Sequence, residues 1–491
     1  MLNETVSERG VKRCLIIGAG TAGRAMARDL RHGAEFGLDP IGFLDDDPSR
    51  SSVDGIAILG TTAELQRVAA QYGVDCVIVA IPSLPPDEID RLAAAALAAA
   101  VNVDYLPSFV AALERDVRIS DLRPVPLDQL LGRREMQVVR SRSAADITGR
   151  RVLITGAGGS VGSELAGQLR EFSPQELFLL DHDESNLHRL QLQLDGRALL
   201  DSNDLILADI RDRERIKHVI KDLRPEIVFH AAAHKHLPLL ERHPGEGVKT
   251  NVLGTKHLVD ASIAAGVDRF VLISSDKATD PISVLGATKR LAEIVLQANA
   301  GGPTTFASVR FGNVLGSRGS FLSVLAEQLE NGLPVTVTHP DVARFFMTVE
   351  EAVGLVIEAA SMAKKGETFV LDLGEPIRIV DLVRNYAEQL HVTEEDLTIS
   401  YTGLRLGEKL EESLCGEHEH LVPTGHRSIW AIESSPITPD FFGGLDRLFE
   451  LASTNDIAAI LGQLAVLVPE YVPARATEPA QVTASPYLDE L

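Results

Sequence analysis

Apolar and polar positions along the chain fall into two similar blocks. The first opens with the apolar run of "CLIIGAGTAGRAMARDL" (14–30) and the second with that of "VLITGAGGSVGSELAGQL" (152–169). In each, a short apolar run meets a glycine-rich turn and then apolar residues at helical spacing, which predicts strand, turn and helix. Each is followed by a second apolar run ending in acid, "IGFLDDD" (41–47) and "LFLLDHD" (177–183). The first block adds a strand, "VDCVIVAIP" (74–82), and an Ala-rich run, "LAAAALAAAV" (92–101), that reads as a buried helix and is too short to span a bilayer. In the second block, apolar runs at 205–212, 225–234, 267–275 and 304–314 alternate with helical patterns. That alternation predicts a parallel, doubly wound sheet. After residue 315 the pattern becomes irregular, as where such folds insert a smaller capping part.

The fold class expected is therefore α/β, with two Rossmann-like domains. A polar tail covers 1–11 and the first domain 12–132. An Arg-rich linker covers 133–150, and the second, extended domain covers 151–471 with its substrate-binding part drawn mainly from 315–430. A Pro/Ala/Thr-rich tail, 472–491, is expected to be disordered. The 491 residues suit two or three domains. A net charge of −23 argues against nucleic acid or an anionic membrane surface as partner. Cys14, Cys76 and Cys415 have no metal-ligand spacing and suit a reducing cytoplasm. The polar start "MLNETVSERG" has no signal-peptide character. The chain is thus expected to be cytoplasmic with no membrane span.

The glycine turns carry the first chemistry. Gly18 lies 27 residues before Asp45, and Gly156 lies 25 before Asp181. That is a dinucleotide-binding arrangement: glycines let the backbone approach a pyrophosphate at the helix N-terminus, and the carboxylate reaches a ribose hydroxyl. In the first block Gly18, Gly20 and Gly23 equally suit a turn that only packs helix on strand. That domain could bind a nucleotide or serve as a docking or oligomer-forming module. The second turn, Thr155, Gly156, Gly159, Ser160, Val161 and Gly162, is the stronger cofactor candidate. Asp181 favours NAD over NADP, because it would repel a 2′-phosphate.

Ligands of open parallel sheets sit at the carboxyl ends of the strands. Asp209 and Ile210 end the third strand, at the adenine edge. Ala231, Ala232 and Ala233 end the fourth and are small enough for a cofactor to lie flat. Asn251 is placed with these contacts. Ser274–Lys277 end the fifth strand, facing the nicotinamide. Lys289, on the helix that follows, can hold the nicotinamide ribose.

The motifs "FVLISSDKATDPISVLGATKRLAE", "VFHAAAHKHLPLLE", "GNVLGSRGSFL", "THPDVARFFMTVEEA" and "LRLGEKLEE" resemble the bacterial UDP-N-acetylglucosamine 4,6-dehydratases of the CapD-like polysaccharide-biosynthesis group, which are extended short-chain dehydrogenase/reductases. The resemblance covers about 145–430, and "IIGAGTAGR", "GFLDDDP" and "LLGR" extend it to the first domain. Members of the group often begin with transmembrane helices, so membrane association is expected only if such helices precede this sequence. The resemblance implies NAD, a UDP-sugar substrate and a homo-oligomer formed through helices flanking the active site. It assigns Asp276 as the acid at sugar C6, Lys277 as the base at C5, and Ser275 as a hydrogen-bond donor to the C4 oxygen. It places Lys235, His236 and Asn313 near the sugar nucleotide, and Arg344, Arg405 and Glu408 near its diphosphate and uridine. The catalytic Tyr of related reductases would stand four before Lys289, where this chain has Leu285. Leu cannot act as a base, which argues for the branch that retains the C5 configuration. A C5-inverting dehydratase, a 5,6-dehydratase or a 4-epimerase on the same scaffold, and a non-enzymatic NAD-binding scaffold, are the alternatives.

Overall fold

A computed structural model of the chain describes residues 12–32, 38–47, 51–81, short pieces between 84 and 105, 123–124, 141–315, 321–330, 333–389, 397–433, 437 and 440–474. The tail 1–11, the first part of the linker (133–140) and residues 475–491 lie outside these. The chain divides into Met1–Ala144 and Ala145–Leu491.

The first unit is a seven-stranded sheet. Its parallel centre runs Ile56–Gly60, Leu38–Leu44, Lys12–Ile17, Cys76–Val79, Asn102–Tyr105. Short antiparallel strands, Ser52–Val53 and Arg123–Pro124, flank it. Strand Lys12–Ile17 is buried from Cys14 onward, as a central strand covered on both faces must be. Of the Ala-rich run, Leu92 and Ala96 are buried in this unit's core.

The second unit is built on a nine-stranded sheet. Its first six strands stand in the order Leu205–Leu207, Glu176–Asp181, Arg151–Thr155, Ile227–His230, Arg269–Ile273, Thr305–Arg310, all parallel. Glu367–Leu371 continues the parallel run, and Ile429–Ile432 and Leu421–Pro423 close the edge antiparallel. Chain order reverses between Arg151–Thr155 and Ile227–His230, and the crevice above such a reversal is where ligands of this fold sit. The strands are shorter than the apolar runs because the last residues of each run leave the ladder to form that crevice.

The helix Val284–Ala298, which carries Lys289, has no exposed residue from Val284 to Leu296. Beside it runs a continuous helix whose middle, Val248–Gly254, is π-helical between Pro244–Gly247 and Thr255–Ala265. Both pack against a C-terminal pair, Phe441–Thr454 and Ile457–Leu467. The C-terminal pair thus shares one hydrophobic core with the helix that carries Lys289. Val472 and Ala474, at the start of the expected disordered tail, donate backbone hydrogen bonds to the carbonyls of Pro281 and Ile282.

Candidate active site

The second glycine turn is shaped by close approach. Gly156 has φ +70°, and a Cβ there would lie 2.6 Å from the backbone of Ala232. A Cβ on Gly162 would lie 2.1 Å from the Gly156 carbonyl oxygen. Gly159 caps the helix Ser160–Glu171 with no side chain, and no acid stands in its first turn. The residue before that helix thus offers no side-chain cap, and the positive end of the helix dipole lies at the glycine turn. Asp181 is buried, and its carboxylate accepts from the amides of Gly158 (2.9 Å) and Asp183 (3.0 Å). The first unit repeats the device: Asp45 accepts from the amides of Ala19 (2.6 Å) and Asp47 (2.9 Å), and Gly18 has φ +94°.

A cleft of about 220 Å³ opens above this turn, lined by Gly156, Gly159, Asp181, Asp209, Ile210 and Ala231–Ala233 among others. Arg211 lines it too, but its fork is held by Asp209 and Glu246. Burial pushes the Asp209 carboxyl up, yet the Arg211 hydrogen bonds outweigh this and hold it below the ordinary range. Gly156 and Gly162, which no Cβ could replace, a helix start with no side-chain cap from Gly159 and a carboxylate at the second strand fit a dinucleotide.

Thr155 and Asn251 act beneath the cleft. Thr255 donates to the Asn251 carbonyl (2.7 Å), so its oxygen accepts from His230 Nε2 (2.9 Å), and His230 Nδ1 accepts from Thr155 (2.7 Å). Burial, with Lys289 adding to it, pushes the His230 imidazole down to about 3, so it is neutral. The Asn251 side chain clamps the loop after the fourth strand: Oδ1 accepts from the His234 amide (2.8 Å), while Nδ2 donates to the His234 carbonyl and to Thr288. The structure thus makes Asn251, on the π-helical turn, a support of the cleft floor.

Ser275, Asp276 and Lys277 turn away from strand Arg269–Ile273 as the start of a 3₁₀ turn, with Ser275 as its cap. Asp276 is fully buried; its Oδ1 accepts from Ser275 Oγ (2.8 Å) and Lys277 Nζ (3.0 Å), and its Oδ2 has no hydrogen-bond partner. Lys277 Nζ also donates to Asn313 Oδ1 (3.1 Å). Burial alone would push the Lys277 ammonium down, but the charge of Asp276 foremost outweighs it and raises its pKa. Lys289 is buried, donates to the Ile273 carbonyl (2.9 Å), and is pushed down to about 8 by desolvation. Leu285 lies one turn before Lys289 on the same helical face and belongs to the hydrophobic core.

Other expected substrate residues are not gathered into this cluster. Lys235, His236 and Arg405 are exposed. Arg344 is buried and donates to Glu408 (3.0 Å) and to the carbonyls of Ala343 and Leu410. Here Arg344 and Glu408 hold each other and the loop between them, where the sequence reading placed both on the diphosphate and uridine. That loop brings in Glu412, which sequence reasoning missed: its Oε1 lies 3.8 Å from Lys277 Nζ. The only sequence signal was its place at the end of "LRLGEKLEE".

Behind the 3₁₀ turn lies a buried ion network. Glu293 accepts from Ser274 (2.6 Å), Arg290 and both ends of the Arg310 fork, and Arg310 also grips both oxygens of Glu419 and the Thr279 hydroxyl. Burial pushes Glu293 up, but Arg310 foremost among its partners brings it below the ordinary range.

A 3-2-1-4-5-6 parallel sheet, a glycine-turn crevice at its reversal and a Ser-Asp-Lys end on the fifth strand define an extended short-chain dehydrogenase/reductase of the sugar-nucleotide dehydratase and epimerase class. The chain belongs to the polysaccharide biosynthesis protein family, whose model matches residues 152–434. A CoA-binding domain model matches residues 2–107. The chain is 40% identical over 429 residues to the probable polysaccharide biosynthesis protein EpsC of Bacillus subtilis, covering 85% of this chain and 71% of that protein. It is 36% identical to the capsular polysaccharide biosynthesis protein CapD of Staphylococcus aureus, covering 83% and 69%. To a UDP-N-acetylglucosamine 4,6-dehydratase (inverting) of Campylobacter jejuni it is 31% identical, covering 58% and 84%. Among the described residues no helix is long and apolar enough to cross a membrane.

Proposed function

We propose that the protein is an NAD-dependent 4,6-dehydratase acting on UDP-N-acetylglucosamine. The observation that carries this reading is the pair of buried Asp276 and half-buried Lys277 at the end of the fifth strand, beside a Lys289 that has Leu, not Tyr, one turn before it. A reductase or epimerase of this scaffold relies on Tyr and has no need of an acid–base pair there. The 31% identical dehydratase supports the same chemistry.

NAD, when bound, accepts the hydride from sugar C4 and supplies it to C6. Every proton must then be moved by the protein. Ser275 holds the C4 oxygen by hydrogen bond. Oxidation at C4 makes the C5 proton acidic, and Lys277 removes it after passing its own proton to Asp276. Asp276 gives that proton to the departing C6 hydroxyl, which leaves as water; Lys277 returns a proton to C5 when hydride reaches C6, and the proton released from the C4 hydroxyl, passed on through Ser275, restores the Lys277 ammonium. An Asp–Lys ion pair and a neutral pair hold the same number of protons, so one internal transfer reaches the reactive state. Lys289 is assigned to the cofactor ribose. Leu285 favours retention at C5.

Turnover in heavy water tests the reading. Incubation with UDP-N-acetylglucosamine should give a 4-keto-6-deoxy product with deuterium at C5, seen by NMR, with the C5 configuration naming the branch. Epimer formed at C4 without loss of the C6 oxygen would favour the epimerase alternative. No turnover of any common nucleotide-hexose by NAD-loaded protein would reject the enzyme.

The cofactor assignment has its own test. In Gly162→Ala the new methyl meets the Gly156 carbonyl oxygen, so the helix start must move. The strain is of the order of 1–3 kcal/mol, and affinity for NAD by calorimetric titration should fall by about tenfold or more. Unchanged affinity would place the dinucleotide elsewhere.

A further inference from the structure

The 3₁₀ turn and the loop 405–412 bring three ionisable groups into one cluster: the buried Asp276 and Glu412 and the half-buried Lys277. With all three ionised the cluster carries two negative charges and one positive. The hydrogen bonds are divided unequally. Asp276 Oδ1 receives two donors, from Ser275 and Lys277. Lys277 gives another hydrogen to Asn313, and Glu412 lies beyond hydrogen-bond reach of it at 3.8 Å. The Glu412 side chain is 4% exposed, and its Oε2 is buried with no hydrogen-bond partner. A buried carboxylate without donors is costly; the same group protonated is far less so.

The other charges facing Glu412 are Arg344, from the strand Ala343–Arg344, and Lys409 on its own loop. Arg344 is turned to Glu408 and two carbonyls, and Lys409 donates to the Thr279 carbonyl (2.9 Å). Neither supplies Glu412 with a hydrogen bond among those seen.

We propose that Glu412 is a positioning residue for the Asp276–Lys277 pair: it holds a proton, and its neutrality leaves Lys277 free to pass its own proton to Asp276. The inference rests on the dehydratase reading above. Its direction follows from which neighbour Glu412 feels more strongly. Desolvation is the main cause raising its carboxyl above the ordinary range; among charges, Lys277 counts for more than Asp276. An ionised Glu412 would therefore stabilise the Lys277 ammonium more than it destabilises the Asp276 carboxylate. The internal transfer that the elimination needs would become harder. The atoms balance throughout: one proton leaves Nζ for an Asp276 oxygen, and none is lost from the pair.

The test uses the full chain. The infrared carbonyl stretch of a protonated carboxyl should be present in the wild-type protein at neutral pH and absent in Glu412→Gln. In turnover of UDP-N-acetylglucosamine, the wild-type rate should fall on the alkaline side as Glu412 ionises. In Glu412→Gln, which stays neutral, that fall should move up by about one pH unit or more, a tenfold gain in rate relative to neutral pH. Glu412→Asp should restore an alkaline fall. A band unaffected by the substitution, or an alkaline fall that does not move, overturns the proposal. If Glu412→Gln does not fold, the wild-type band decides: loss of the band in step with the rate supports it, and persistence through the fall overturns it. If the wild type dehydrates no sugar nucleotide, the functional reading fails, and the infrared arm still decides whether Glu412 holds a proton.

Discussion

Lys277→Met should fold, bind NAD and lose dehydration by about 10²- to 10⁴-fold in kcat, the range general acid–base groups contribute. Met keeps the length and apolar stem of Lys but has no proton to exchange. Asp276→Asn should be impaired to a similar degree for the opposite reason: Asn can still accept from Ser275 and Lys277 but cannot act as an acid. The two variants should differ in C5 exchange. Asp276→Asn retains the Lys277 amine and should still exchange deuterium at C5 slowly, whereas Lys277→Met should not. Cofactor titration on the same samples separates lost chemistry from lost binding. Near-full kcat in either variant would remove that residue from its assigned role.

The second large effect is on stability. Arg310→Met should cost about 3–5 kcal/mol, as breaking one side of a buried ion pair typically does. The Arg310 side chain is fully buried and links a sheet strand to Glu293 on the lysine helix, to Glu419 on the C-terminal loop, and to Thr279 just after the 3₁₀ turn of Asp276 and Lys277. Removing it leaves Glu293 with Arg290 and Ser274 alone, in a place where a carboxylate cannot be hydrated. Urea denaturation should show a lower midpoint with an unchanged slope. Arg310→Met combined with Glu293→Leu should recover part of the loss, because the stranded charge goes with its partner. A single-variant cost below about 1 kcal/mol would show the network to be no stronger than an exposed pair.

Much of the fold and half of the site could be read from sequence, and the division has a physical basis. The glycine turns, the acids ending the second strands and the Ser-Asp-Lys segment are local: spacing alone fixes which backbone groups they meet. Glu412 was not legible, because its position depends on contacts distant in sequence. Gly407 must pack where a Cβ would meet Ser283 at 2.8 Å, Lys409 must reach Thr279, and Arg344 must hold Glu408 and Leu410. Glu293 and Arg310 look like ordinary charges on a helix and a strand until the sheet brings them together. Asn251 was read as a cofactor contact; the π-helical turn that sends its amide to His234 and Thr288 leaves no mark in the apolar periodicity.

The C-terminal helix pair sets where a working fragment of this chain can be cut. The family match ends at residue 434, but the hydrophobic core does not. Phe441, Leu445, Leu448, Ile460, Leu464, Leu467 and Tyr471 share one cluster with Val248, Val252, Val284 and Leu291 on the helices beside the site. A piece trimmed to the matched region would bare that face to water and lose the cover of the lysine helix. A cut after Ala474 keeps the face sealed, along with the backbone bonds from Val472 and Ala474 to Pro281 and Ile282, which follow the 3₁₀ turn of Asp276 and Lys277.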